Sequence, residues 1–278
     1  MKKNKIIFLI VYIGEYPWYF PYFLHSCKYN PSIYFYIYTD NQKVDSRTPE
    51  NIRFIPYSLK EFNKDATKAL GFSVNIEHGY KLCDFKPAYG CIFSDRIKDY
   101  NFWGHCDIDI IFGNIRGFIT EQTLNEYDVI SARHDYLTGS FAIYRNTPLI
   151  NRMFMQSKDY ARVFTSPYNF CFDETNYAFD RFEAGLHYSD IKTEIESMTH
   201  VVKRLQEEGT IKVYFEFQIL EGLAGNMLWD HGTLIYRKEF EAMLYHMVRF
   251  KKKYSEETEL NKTIPDRFRI GKKKIYYK

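Results

Sequence analysis

Residues 6–13 form an unbroken apolar and aromatic run, and similar short runs recur between helical segments along the first half of this 278-residue chain. This pattern constrains the fold more than any other feature. A run of that length closed by Gly14 suits a strand buried on both faces, which is the signature of a parallel sheet covered by helices. Strands are expected at 6–13, 33–38, 52–57, 102–112, 129–132 and 140–144, and helices at 17–27, 59–69 and 86–96, the last with Pro87 in its first turn. The alternation implies an α/β fold with a mainly parallel central sheet. Ligands of such sheets bind beyond the carboxyl ends of the strands, and Gly14, Asp40 and Asp109 all fall near such ends.

The second half is less regular. Residues 149–160 read as a helix, 190–208 as a long amphipathic helix stopped by Gly209, and 211–217 and Thr233–Tyr236 as strands. Residues 239–253 suit either strand or helix. No repeat, linker or sharp domain boundary is visible, and no apolar run reaches membrane-spanning length. The lysines before residue 6 and the short run after it do not make a signal peptide, because no small-residue cleavage site follows. Five cysteines without a C-x-x-C pair point to reduced thiols and a cytoplasmic protein. The 25 Tyr and 24 Phe are read as core packing. Residues 249–278 carry 11 Lys and Arg against 4 Asp and Glu, a basic helical extension fit for an acidic partner such as an anionic membrane face.

Within 102–112 lies the sequence FWGHCDID, where Asp107 and Asp109 interrupt an apolar, strand-forming run. On a strand the two carboxylates share a face. Two unpaired acids there would cost several kcal/mol, roughly. A divalent cation removes that cost, and hard oxygen ligands suit Mn²⁺ or Mg²⁺ with positions left for phosphates. The alternative is that Asp107 caps and Asp109 faces water.

A second block, KLCDFKPAYG, crowds Lys81, Asp84 and Lys86 around a helix entry. Asp84 suits an N-cap, while two lysines at that end invite an anion. In the second half, Asp173 and Glu174 form an acidic pair that serves either as a helix start or as proton-accepting groups on a pocket floor.

Together KLCDFKPAYG and FWGHCDID, preceded by strands ending in YIG and YTD, resemble a bacterial family of candidate glycosyltransferases that carries no settled name. That family is similar to the glycosyltransferase A-type superfamily of nucleotide-diphospho-sugar transferases. The resemblance covers residues 5–155 well and continues unevenly to about 255. It implies one Rossmann-like catalytic domain over 1–248, with a nucleotide-binding half to about 115 and an acceptor half beyond, followed by the basic tail 249–278. It implies that Tyr12, Ile13 and Gly14 meet the nucleobase, with Asp40 near base or ribose. Lys81, Asp84 and Lys86 would hold ribose, donor sugar and phosphate. Asp107 would touch ribose or metal and Asp109 the metal directly, with His246 completing the metal shell and Arg249 and Lys251 on the diphosphate. His231 is a rival ligand, although Asp230-His231-Gly232 also reads as a hairpin turn. His134, Thr138, Gly139 and Ser140 would lie beside the sugar or acceptor.

The function expected is a Mn²⁺- or Mg²⁺-dependent glycosyltransferase. It would move a sugar from a nucleotide diphospho-sugar, a UDP-sugar in the first instance, to a saccharide or lipid-linked acceptor in surface polysaccharide synthesis. Asp173 and Glu174 would accept the acceptor proton in an inverting reaction, or stabilise an oxocarbenium-like state in a retaining one. A nucleotidyltransferase would also use an acidic pair, but the Gly-rich phosphate loop is absent. A nucleic-acid-binding protein would interleave basic and aromatic residues on a recognition motif, and none is present.

Overall fold

In the computed structural model, which describes residues 3–41, 48–222, 225–256, 259 and 262–277, the first apolar run forms β1 (Ile6–Val11). Next come helix α1 (Phe20–Lys28), β2 (Ile33–Thr39), β3 (Ile52–Pro56) and helix α2 (Leu59–Leu70). The chain continues through β4 (Phe102–Cys106), β5 (Ile110–Phe112), β6 (Val129–Ser131), β7 (Phe141–Arg145) and β8 (Val213–Phe215). The remaining strands are β9 (Ile219–Glu221), β10 (Met227–Asp230), β11 (Thr233–Tyr236), β12 (Phe240–Ala242), β13 (Leu244–His246), β14 (Arg267–Ile270) and β15 (Ile275–Tyr277).

Seven strands build the main sheet in the order β3-β2-β1-β4-β7-β6-β8. The pairs β3–β2, β2–β1, β1–β4 and β6–β8 are parallel, whereas β7 runs antiparallel to both neighbours, so the sheet is mixed. Strand alternation divides each buried strand between two cores. Ile7 and Leu9 of β1 join Phe62, Ala66 and Leu70 of α2 on one face. Ile6, Phe8 and Ile10 join Phe20, Phe23 and Cys27 of α1 on the other. Each such side chain contributes about 1.5–3 kcal/mol when fully buried. This double burial is why the run is apolar without a break. Helix α2 is fixed at both ends: Ser58 and Glu61 form a reciprocal capping box, and Gly71 takes the left-handed conformation (φ +79°).

Two smaller sheets complete the molecule, β12-β11-β10-β14-β15 and β5-β13-β9. The five-stranded sheet packs Trp229, Phe268 and Ile270 against Trp18 and Tyr22 near α1.

Three expectations are corrected. The run 102–112 is two strands in different sheets, so Asp107 and Asp109 lie in the crossing between them. Of 190–208 only Met198–Glu207 forms the α-helix. Before it, the N–H groups of Glu194 and Glu196 are taken by Asn176 and Asp159, leaving no donors for a helical ladder. The C-terminal segment is not a helical extension. After a single turn at Phe250–Lys253 it supplies β14 and β15, although residues 257–258, 260–261 and 278 of that segment lie outside the described residues. No helix among the described residues is long and apolar enough to cross a membrane.

Candidate active site

Strands β1 and β4 are parallel neighbours, in register from Ile6 with Phe102 to Phe8 with Gly104. From β1 the chain turns to β2 and β3 on one side, and β4 occupies the other, so the strand order reverses between them. A crevice opens at the carboxyl ends of strands flanking such a reversal. It is present here as a cavity of about 420 Å³. Tyr12 and Ile13, just after β1, line one wall; Asp107 and Asp109, just after β4, line another; Lys86 and Lys251 border it as well.

The antiparallel pairing of β13 with β5 sets His246 opposite Ile110, and the N–H of Met247 donates to the carbonyl of Asp109 at 2.8 Å. His246 thereby joins the acids: Nε2 lies 3.3 Å from Asp109 Oδ2 and 3.9 Å from Asp107 Oδ2. One ligand atom from each of Asp107, Asp109 and His246 falls within 4.8 Å of the others. Lys251 Nζ stands 2.7 Å from Asp109 Oδ2, yet that buried oxygen receives no well-directed hydrogen bond. Burial raises the Asp109 pKa, but His246 and Lys251 outweigh it and hold the group below the usual carboxylate range. For His246 burial acts downward, while Asp109, Glu221 and Asp107 lift it to about 10. Two carboxylates and an imidazole gathered around an oxygen without a hydrogen-bond partner fit a hard or borderline divalent cation such as Mn²⁺ or Mg²⁺.

Lys86 ties this cluster to the second acidic pair. Its Nζ lies 2.6 Å from Asp107 Oδ1, 2.8 Å from the carbonyl of Gly139 and 3.5 Å from Asp173 Oδ2. Burial depresses the Lys86 pKa, but Asp107 and Asp173 more than restore it, so Lys86 stays a cation. Asp173 and Glu174 follow a left-handed Cys171 (φ +50°) in an irregular segment, not a helix. Burial pushes both carboxyls up, against the lowering effect of Lys86. Glu174 Oε1 accepts from the N–H of Gly139 at 2.7 Å and from Thr138 Oγ1 at 3.3 Å, and the Thr138 and Ser140 hydroxyls are 2.8 Å apart. Gly139 is required by close approach, since a Cβ there would sit 2.2 Å from Asp173 Oδ2.

Several expected residues stand elsewhere. Asp40, just after β2, accepts from the N–H of Gly14 at 2.8 Å and does not line the cavity. Asp84 is fully buried and does not line the cavity; its oxygens accept from Lys81 and from the N–H groups of Phe170 and Phe172. Lys81 also donates to the carbonyls of Val163 and Tyr168, so this pair fastens the chain before Asp173 and has no donors left for a ligand. Arg249 is exposed and does not line the cavity. His134 is exposed with its ring against Phe217. His231 occupies the β10–β11 turn with φ +46°, as the hairpin reading has it, and pairs with Asp230. The sequence reading missed Glu221, which belongs to no motif but whose Oε1 lies 2.9 Å from His246 Nδ1. It also missed His105, a buried neutral ring on the cavity wall whose pKa burial lowers well below the ordinary value. Glu221 depends on strand pairing, which leaves no local pattern, whereas His105 sits within FWGHCDID itself.

The chain belongs to a family of unknown function (DUF6625), which it matches over residues 8–278. No curated protein matches it. Among solved structures, the apo form of mouse xyloside xylosyltransferase 1 is similar, with a TM-score of 0.44 and 9% identity over 87% of this chain and 96% of that one. The galactosyltransferase LgtC in complex with donor and acceptor sugar analogs gives a TM-score of 0.37 and 12% identity, over 78% of this chain and 75% of that one. Both neighbours are glycosyltransferases.

Proposed function

We propose that this protein is a glycosyltransferase that takes a sugar from a nucleotide diphospho-sugar, a UDP-sugar in the first instance, with Asp107, Asp109 and His246 holding Mn²⁺ or Mg²⁺. The observation that carries this reading is the convergence of the three ligands, two of which, Asp107 and Asp109, line a cavity at the sheet's reversal point. A cation held there offsets the negative charge of the diphosphate.

The remaining roles belong to the chain's own residues. Tyr12 and Ile13 line the part of the cavity suited to the base. Lys251, beside Asp109, reaches the diphosphate as a point charge, and Lys86 holds the Asp107 carboxylate in place. An acceptor hydroxyl attacks the anomeric carbon while the bond from that carbon to the diphosphate oxygen breaks. The hydroxyl proton passes to Asp173 or Glu174, whose raised pKa values make them stronger bases than ordinary carboxylates. Thr138, Gly139 and Ser140 border this end of the site. The acceptor is a saccharide or lipid-linked saccharide in surface polysaccharide synthesis, and the exposed basic face of the C-terminal strands around Arg267 and Arg269 rests on anionic lipid at the cytoplasmic membrane face.

The test is release of nucleoside diphosphate from a panel of nucleotide sugars, with Mn²⁺ and simple saccharide acceptors. One donor should be consumed by the native protein and none by folded Asp109→Ala. Equal turnover by Asp109→Ala would overturn the reading.

A further inference from the structure

We infer that Glu221 and Arg133 are positioning residues that aim His246 at the cation cluster and set its affinity for the ion. This rests on the reading of Asp107, Asp109 and His246 as metal-holding. The parallel pairing of β9 with β13 places Glu221 directly beside His246, so their side chains share one face. Glu221 Oε1 lies 2.9 Å from His246 Nδ1. With Nδ1–H donating to that carboxylate, the tautomer is set and Nε2 is turned to the acids, 3.3 Å from Asp109 Oδ2.

Glu221 is itself held from behind. Its Oε2 accepts from Arg133 Nη1 at 2.6 Å. The same guanidinium grips Asp135 with both prongs, Nε to Oδ1 at 2.8 Å and Nη2 to Oδ2 at 2.5 Å, and Nη2 reaches Glu183 Oε1 at 2.9 Å. It also lies over the Tyr136 ring, 4.4 Å from its centroid. Arg133 is buried, whereas Glu221 is only partly so. A planar donor with all three nitrogens engaged cannot swing, so the carboxylate it holds has little freedom. The line Asp135–Arg133–Glu221–His246 therefore ends at the imidazole nitrogen facing Asp109. A surface ion pair has no need of this construction; a metal ligand does, because outer carboxylates orient the ring and raise its basicity.

The experiment is titration of the full-length protein with Mn²⁺ alone, following free Mn²⁺ by electron paramagnetic resonance, alongside thermal unfolding. Glu221→Gln keeps the size and removes the charge. It should weaken Mn²⁺ binding about 10- to 100-fold, with the unfolding temperature of the metal-free protein nearly unchanged. Arg133→Lys keeps the charge but loses the fork, and should weaken binding by less than Glu221→Gln. Native affinity in Glu221→Gln, with the native protein binding Mn²⁺, overturns this inference and leaves the metal reading standing. Absence of Mn²⁺ binding by the native protein overturns both.

Discussion

Lys86 donates to Oδ1 of Asp107 over 2.6 Å, and this contact joins the strand end bearing Asp107 and Asp109 to the segment bearing Asp173 and Glu174. Replacing it by Lys86→Met leaves Asp107 and Asp173 facing each other without a cation between them. Removing one partner of a buried ion pair costs about 3–5 kcal/mol. Because Asp107 keeps 33% of its side chain exposed, a loss of about 2–3 kcal/mol is expected in urea unfolding, together with loss of transfer. The double variant Lys86→Met, Asp173→Asn should recover part of the stability. Unchanged stability in the single variant would show that the pair contributes nothing to the fold.

Phe268 tests whether the C-terminal strands are integral to the molecule. It is 1% exposed, with its ring stacked 5.1 Å from that of Trp229. Phe268→Ala should destabilise by about 3–5 kcal/mol, as for other buried aromatic truncations. A solvated tail would lose nothing by the same change.

A third expectation concerns acid sensitivity. His25 sits against Trp229, ring centroids 4.9 Å apart, and burial lowers its pKa to about 4 although Asp266 acts upward. Unfolded histidine titrates near 6.5. Between these values the unfolded chain binds a proton that the native state refuses, so stability is full above about 6.5 and falls as pH drops towards 4. From pH 7 to pH 5 this should amount to about 1–2 kcal/mol after allowance for solvent screening. The loss should be smaller by that amount in His25→Phe, measured by denaturant unfolding at both values. Parallel pH profiles for the two proteins would remove His25 as the cause.

The parts of this architecture that were legible in the sequence are those set by neighbours along the chain. β1 could be read because both its faces are buried, which forces an unbroken apolar run. Asp107 and Asp109 stood out because acids inside such a run need a reason. The β10–β11 hairpin was visible in Asp230-His231-Gly232. What depends on distant pairing was not legible. Glu221 earns its place only through register with His246, and Asp84 turned inward because the N–H groups of Phe170 and Phe172 reach it from 86 and 88 residues away. The C-terminal strands carried a local signal that the charge obscured: Arg267 and Arg269 point out while Phe268 and Ile270 point in, a period of two beneath a basic composition.

The most direct test of the central claim is thermal unfolding of the native protein and Asp109→Ala with a panel of nucleoside diphosphates and nucleotide sugars, each with and without Mn²⁺. A ligand at a hundredfold excess over its dissociation constant stabilises the folded state by about 2.7 kcal/mol. The expected result is a Mn²⁺-dependent rise in unfolding temperature with one nucleotide family, absent in Asp109→Ala. No rise with any nucleotide, or the same rise in both proteins, would contradict a donor site built on Asp107, Asp109 and His246.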